Sequence, residues 1–276
     1  MSLRNAFCRF AICLIALTGI IPAPVQSRES YPLHDAAKAG DLKEVKVLLV
    51  EGIDPNGVNS YGDTPLHEAA AQGHRDIVAI LLVKGANPKA VNNFGETALH
   101  KVALSGHVDV ARNLIKNGSD VNARTHRGDA PLHKAATFGQ IDLAELFIEN
   151  GASANARNDA GETPLHMAAM LGHKDFCALL IQYHADVNAR NDQGESPLHS
   201  AASMGNAELA EFLIINGANI ETRTRAGDTP LRTATNFGHH ELAQLLIARG
   251  AVSDNQENTD STKTNNDEEK KGSDKG

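Results

Sequence analysis

The sequence contains no tryptophan, and only 4% of its residues are aromatic, too few to fill one large globular core with rings. Cysteine is nearly missing as well. Cys8 and Cys13 fall in the first 21 residues, which leaves Cys177 as the only other thiol. No disulfide framework can therefore brace the rest of the chain. No block of Lys and Arg is long enough to track phosphates and the net charge is −8, which argues against nucleic acid as a partner. No Gly-rich phosphate loop, HExxH, GxSxG or paired-cysteine motif occurs. The sequence thus offers no catalytic residue, no cofactor or metal site and no small-molecule substrate.

The longest apolar run, Phe10 to Ile21, is shorter than the ~20 residues a membrane-spanning helix needs. Arg4 and Arg9 precede it and a turn-rich stretch, Pro22 to Ser27, follows. This is the three-part pattern of a secretory signal peptide over residues 1–27. The small residues Val25 and Ser27 place cleavage before Arg28, and the mature protein in the periplasm or outside the cell. An uncleaved membrane anchor is the alternative. Cys13 lies inside the apolar run rather than after it, which argues against a lipid anchor. At the other end, residues 255–276 contain no large apolar side chain and mix six acids with four lysines. Such a segment cannot bury enough surface to offset its ordering entropy and is expected to be a disordered polar tail.

What the sequence does have is a period. GDTPLHEAA starts at Gly62, GETALHKVA at Gly95, GDAPLHKAA at Gly128, GETPLHMAA at Gly161, GESPLHSAA at Gly194 and GDTPLRTAT at Gly227. Leu33, Leu66, Leu99, Leu132, Leu165, Leu198 and Leu231 recur every 33 residues, the signature of a stacked repeat. Each copy predicts two short helices. Thr64 is placed to cap the first through its hydroxyl, with Pro65 at the first helical position and Gly73 as the stop. Ile77, Val78, Ile80, Leu81 and Leu82 form the stripe of the second, which Gly85 ends. The run Asn87 to Gly95 suits a hairpin-like loop. His184 stands where the other copies have that stop glycine, which predicts a strained, left-handed histidine.

GDTPLHEAA, then Gly73-His74, Ile77-Val78, Leu81-Leu82 and Gly85-Ala86, resemble the ankyrin repeat in motif and length. The resemblance covers residues 28–254 as seven repeats, the first and last more polar, as terminal caps must be. It implies an all-α solenoid of helix-turn-helix layers with short β-hairpin loops, which binds other proteins and is not an enzyme. It also implies that His34, His67, His100, His133, His166 and His199 are scaffold, tying Thr and backbone of adjacent layers. Their spacing agrees. One imidazole per layer, ~8–10 Å from the next, cannot share a metal at ~2 Å bonds. Cys177 stands in the register of Val78 and reads as a buried, inert thiol.

With the fixed positions building the scaffold, the variable ones can read a partner. In the resembled family these are the hairpin tips and the exposed ends of the first helices, on the concave side. At the tips stand Tyr61, Phe94, Arg127 and Arg225, and at the helix ends Leu104, Phe138, Met170, Leu171, Met204 and Phe237. The second group is large and apolar, as interaction surfaces are. Two charged rows, Arg124, Arg157, Arg190, Arg223 and Asp63, Glu96, Asp129, Glu162, Glu195, Asp228, are placed either to pair with each other along the stack or to read a partner. The expectation is an exported scaffold that binds a protein. Its alternatives are an inhibitor or protective accessory of one enzyme, an effector delivered to a host, and an atypical enzyme. A membrane is a partner only if the signal is not cleaved.

Overall fold

The computed structural model describes residues 31–252. The segment read as a signal peptide, with its cleavage point, and the polar tail lie outside the described residues. The described residues hold fourteen helices in seven pairs. The first helices are α1 (Pro32–Ala39), α3 (Pro65–Ala71), α5 (Ala98–Ser105), α7 (Pro131–Phe138), α9 (Pro164–Leu171), α11 (Pro197–Met204) and α13 (Pro230–Asn236). The second helices are α2 (Leu42–Val50), α4 (Arg75–Val83), α6 (Val108–Lys116), α8 (Ile141–Glu149), α10 (Lys174–Gln182), α12 (Ala207–Ile215) and α14 (His240–Ala248). From α3 onward, first helices pack on first helices of the neighbouring layers and on their own second helix. This is the all-α repeat solenoid that the period predicts.

The core follows the leucine register. Leu66, Leu99, Leu132, Leu165 and Leu198 are fully buried, and paired alanines such as Ala69–Ala70 and Ala168–Ala169 let the first helices approach closely. On the second helices Ile77, Val78 and Leu81, or Phe176, Cys177, Leu179 and Leu180, close each layer. The terminal layers bury less: α2 contributes only Val45 and Leu48, and α14 only Leu242 and Leu246. No helix among the described residues exceeds nine residues, too short for stability alone, so burial between layers supplies what propensity cannot.

The helix starts correct one expectation. Thr64 does not cap α3 with its hydroxyl. Its Oγ1 lies 2.8 Å from His67 Nδ1, and that nitrogen also accepts the Thr64 backbone N–H at 3.1 Å. The imidazole is therefore the group that binds back to the start of the helix. Ala130 has no hydroxyl, yet its N–H still donates to His133 Nδ1 at 3.1 Å. In the last repeat Arg232 replaces the histidine, and there the Thr229 hydroxyl accepts the Arg232 N–H at 3.2 Å. Threonine caps by itself only where the histidine is missing.

The hairpins are tight turns. In one, the Asn92 N–H donates to Glu96 O and the Gly95 N–H to Asn92 O, both at 2.9 Å. Adjacent tips are joined by one backbone bond per layer, such as His126 N–H to Phe94 O and Asp159 N–H to Arg127 O. Asparagine amides bridge the layers at the second turn, as Asn56 Nδ2 does to Gly85 O and Asn122 Nδ2 to Gly151 O. Gly73 has a φ of +77°, and a Cβ there would sit 2.6 Å from the His107 ring, so both backbone and space demand glycine.

His184 has a φ of +61°, the one positive value outside glycine among the described residues. Its carbonyl accepts Asn155 Nδ2 at 3.0 Å, the bond that the stop glycines make elsewhere, which holds the strained backbone in place. Replacing His184 by Gly keeps that bond and removes the strain, so it is expected to stabilise the protein by about 1 kcal/mol. Chemical denaturation would show this as a higher midpoint with an unchanged slope.

Candidate functional site

The histidine row is the most regular polar feature of the stack. His67, His100, His133, His166 and His199 are buried, and their Nε2 atoms lie 2.9–3.1 Å from the carbonyls of Glu96, Asp129, Glu162, Glu195 and Asp228, each in the next layer. A carbonyl can only accept and a backbone N–H can only donate. Nε2 must therefore carry the proton and Nδ1 the lone pair. Both nitrogens are committed, and none is left to bind a metal. Burial, partly opposed by the carbonyl bond, lowers the imidazole pKa to about 4 at His100 and His166. Burial also lowers it at His67, His133 and His199. A second row points the other way: His74, His173 and His239 place Nε2 at 3.0–3.2 Å from Lys38 O, Thr137 O and Ser203 O of the preceding layer. Burial pushes the Cys177 thiol up to about 12, which leaves no thiolate for chemistry.

Beside the hairpins, the exposed faces of the first helices carry Glu68, Lys101 and Lys134. Lys101 Nζ meets Asp63 Oδ1 and Glu96 Oε2, each at 3.3 Å, and Lys134 Nζ meets Glu96 Oε1 at 3.2 Å. Burial opposes the Glu96 charge, but Lys134 and Lys101 outweigh it and hold the carboxyl at about 2. Lys38 lies 3.6 Å from Glu68 in the same row. These charges neutralise one another in the first four layers.

Arg124, Arg157 and Arg190 do not pair with the acid row. The acid row is engaged by lysines and by asparagine amides, as Asp63 is by Asn92 Nδ2 at 2.8 Å and Asp129 by Asn158 Nδ2 at 2.9 Å. The arginines turn to the hairpin tips of the next layer, Arg124 to Asp159 at 3.1 Å and Arg157 to Asp192 at 3.4 Å. Arg190 meets only the carbonyls of Arg223 and Gly194. The reason is reach: a guanidinium at the hairpin base extends along the loop edge, away from the helix starts.

Helix periodicity puts residues three and four beyond Lys101, Lys134 and Met167 on the face that those side chains occupy. Leu104, Phe138, Met170 and Leu171 stand there half-buried, and Met204 and Phe237 are 38% and 42% exposed. None of the six belongs to the buried core or to the half-buried apolar side chains packed on it. At the hairpin tips Tyr61 and Phe94 are 52% and 54% exposed, and Arg127 and Arg225 are exposed. The structure thus puts the helix-end group along one edge of this face and the tip group along the other. The sequence reasoning passed over Val58 and Val91, which are exposed at the hairpin bases in the register of Arg124. Their 33-residue spacing was the signal.

A family model described as ankyrin repeats (3 copies) matches residues 10–92, 81–158 and 132–224, and one described as ankyrin repeats (many copies) matches residues 208–247. Among solved structures, the chain is similar to the crystal structure of the human ASB11 ankyrin repeat domain. The TM-score is 0.73 at 28% identity, over 81% of this chain and all of that one. A search of curated proteins found no match.

Two outcomes follow from the histidine geometry. His133→Ala removes both bonds and is expected to cost ~1–3 kcal/mol by denaturation, with the Tm indifferent to zinc or a chelator. Acid should loosen the whole stack. Below pH ~6.5 the unfolded chain binds protons that the folded one refuses, so stability falls until the folded pKa of about 4 is passed. His100 and His166 each withdraw on the order of 3 kcal/mol over that window. Glu96 extends the loss towards pH 2, because its folded pKa lies below the unfolded one. Denaturant titrations at a series of pH values read both phases.

Proposed function

The chain belongs to the ankyrin-repeat family, and from that premise we propose that it is an exported scaffold whose concave face grips a protein partner. Ankyrin repeats are protein-interaction modules and generally not enzymes. The concave face is the one formed by the first helices and the hairpins. The observation that carries the reading is the row Leu104, Phe138, Met170, Leu171, Met204 and Phe237, which the core does not use. Met and aromatic side chains with arginine at the rim are enriched at protein interfaces, and methionine adapts to irregular partner shapes. Export rests on Arg4, Arg9, the apolar run Phe10 to Ile21 and the small residues Val25 and Ser27. No helix among the described residues is long and apolar enough to cross a membrane.

The binding surface is tested by Phe138→Ala combined with Met170→Ala. Thermal stability should stay nearly intact while affinity for a captured partner falls by ~2 kcal/mol or more. A large loss of stability would show that these side chains are core. Export is tested separately by N-terminal sequencing from the native host. The chain is expected to begin at or within a few residues of Arg28, and an intact Met1 in the cytosol would contradict it.

A further inference from the structure

The hairpin edge changes character part-way along the stack. Val58, Tyr61, Val91 and Phe94 make it apolar and exposed in the first hairpins. From Arg124 onward the same edge is cationic: Arg124, Arg127, Arg157, Arg190, Arg223 and Arg225 are all exposed. The helix-end edge changes in the opposite sense. Its first two layers carry Lys38, Ala39, Ala71 and Gln72, its third Leu104 and Ser105, and its later layers Phe138, Met170, Leu171, Met204 and Phe237. Apolar surface therefore runs on the hairpin side at one end of the stack and on the helix-end side at the other.

Three arginines of the cationic edge, Arg127, Arg190 and Arg225, have no carboxylate partner among the described residues. Asp159 and Asp192 pair with Arg124 and Arg157. The carboxylates at the hairpin bases are half-buried and turned to other groups: Asp129 and Glu162 to Asn158 Nδ2, Glu195 to Asn191 Nδ2, and Asp228 to Arg232. Arg127 and Arg225 form no ion pair among the described residues, and Arg190 offers its N–H groups only to carbonyls.

We propose that the partner segment crosses the concave face obliquely, from Tyr61 and Phe94 on the hairpin edge to Met204 and Phe237 at the helix ends. On this reading it carries carboxylates along the flank that meets Arg127, Arg190 and Arg225. The proposal rests on the concave-face reading above and adds a direction and a charge to it. An apolar track follows the shift of apolar surface from one edge to the other, and acidic side chains match the cationic stretch of the hairpin edge, where like charge would repel. A basic or uniformly apolar segment would leave the arginine edge either repelled or desolvated without a counter-charge.

The test uses a phage-displayed library of random peptides, long enough to cross six layers at ~10 Å each, selected against the full chain. Enriched peptides should combine apolar residues with Asp or Glu. Their affinity should fall at least ~10-fold in Arg127→Glu with Arg225→Glu, in Tyr61→Ser with Phe94→Ser, and in Phe138→Ala with Met170→Ala, and should weaken with salt. Circular dichroism melts of the three double variants check that each remains folded. Peptides that need Phe138 and Met170 but ignore the arginines and lack carboxylates would overturn the acidic flank and leave the concave-face reading standing. Indifference to Tyr61 and Phe94 alone would overturn the oblique path. Peptides indifferent to all three pairs, or a selection that enriches nothing, would overturn both readings.

Discussion

A neutral imidazole held between two layers is the interaction on which the rest of this structure depends. Its Nδ1 accepts the backbone N–H at the start of its own helix, and its Nε2–H reaches a carbonyl of the next layer, as His100 does to Thr97 and Asp129. One side chain thereby starts a helix and joins two repeats. A second histidine row explains the glycines that stop the first helices. Layers drawn this close leave no room for a Cβ at Gly73 or Gly205, where the next layer's imidazole sits instead. Removing the bridge would leave an N–H and a carbonyl buried without partners, each costly in an interior with little water.

This division of labour leaves the proposed binding surface free of folding duties. Burial between layers and the bridges at the hairpins and second turns account for folding, so the outer positions of the first helices and the hairpin tips have little to do with it. They can carry side chains that would be costly elsewhere. Tyr61, Phe94, Met204 and Phe237 are large and exposed. Scattered singly, such residues would need no explanation. Here they follow the edges of one face, beside Arg127 and Arg225, which form no ion pair among the described residues. On the proposed reading, the selectivity of this surface lies in the order of its side chains along the stack.

Much of the scaffold was legible because a 33-residue period repeats every local decision. The seven leucines locate the first helices, the stop glycines locate their ends, and His184 stands out as the one copy where glycine is absent yet the backbone is unchanged. Pairing between layers was less legible. Two charged rows at the same period invite the inference that they meet, but Arg124 reaches Asp159, which lies just over one period away, across the hairpin edge. The threonine hydroxyl was misread for a related reason. Thr64 has the composition of a cap, and only coordinates show that His67 occupies the site first. The candidate surface was legible as a set of residues and not as an arrangement. That the apolar side changes edge at Arg124 requires both edges to be placed in space.

The central claim is that the stack is held by imidazoles that are neutral, protonated on Nε2, and unable to ionise while folded. Long-range proton–nitrogen correlation spectra of the histidine rings, recorded as pH is lowered, test it most directly. The account predicts that His67, His100, His133, His166 and His199 show the Nε2–H form near neutral pH. Those signals should hold their shifts through pH ~6.5, the ordinary imidazole value, and vanish only as the chain unfolds. Rings that titrate smoothly near that value in a chain that stays folded, or that carry the proton on Nδ1, would contradict it.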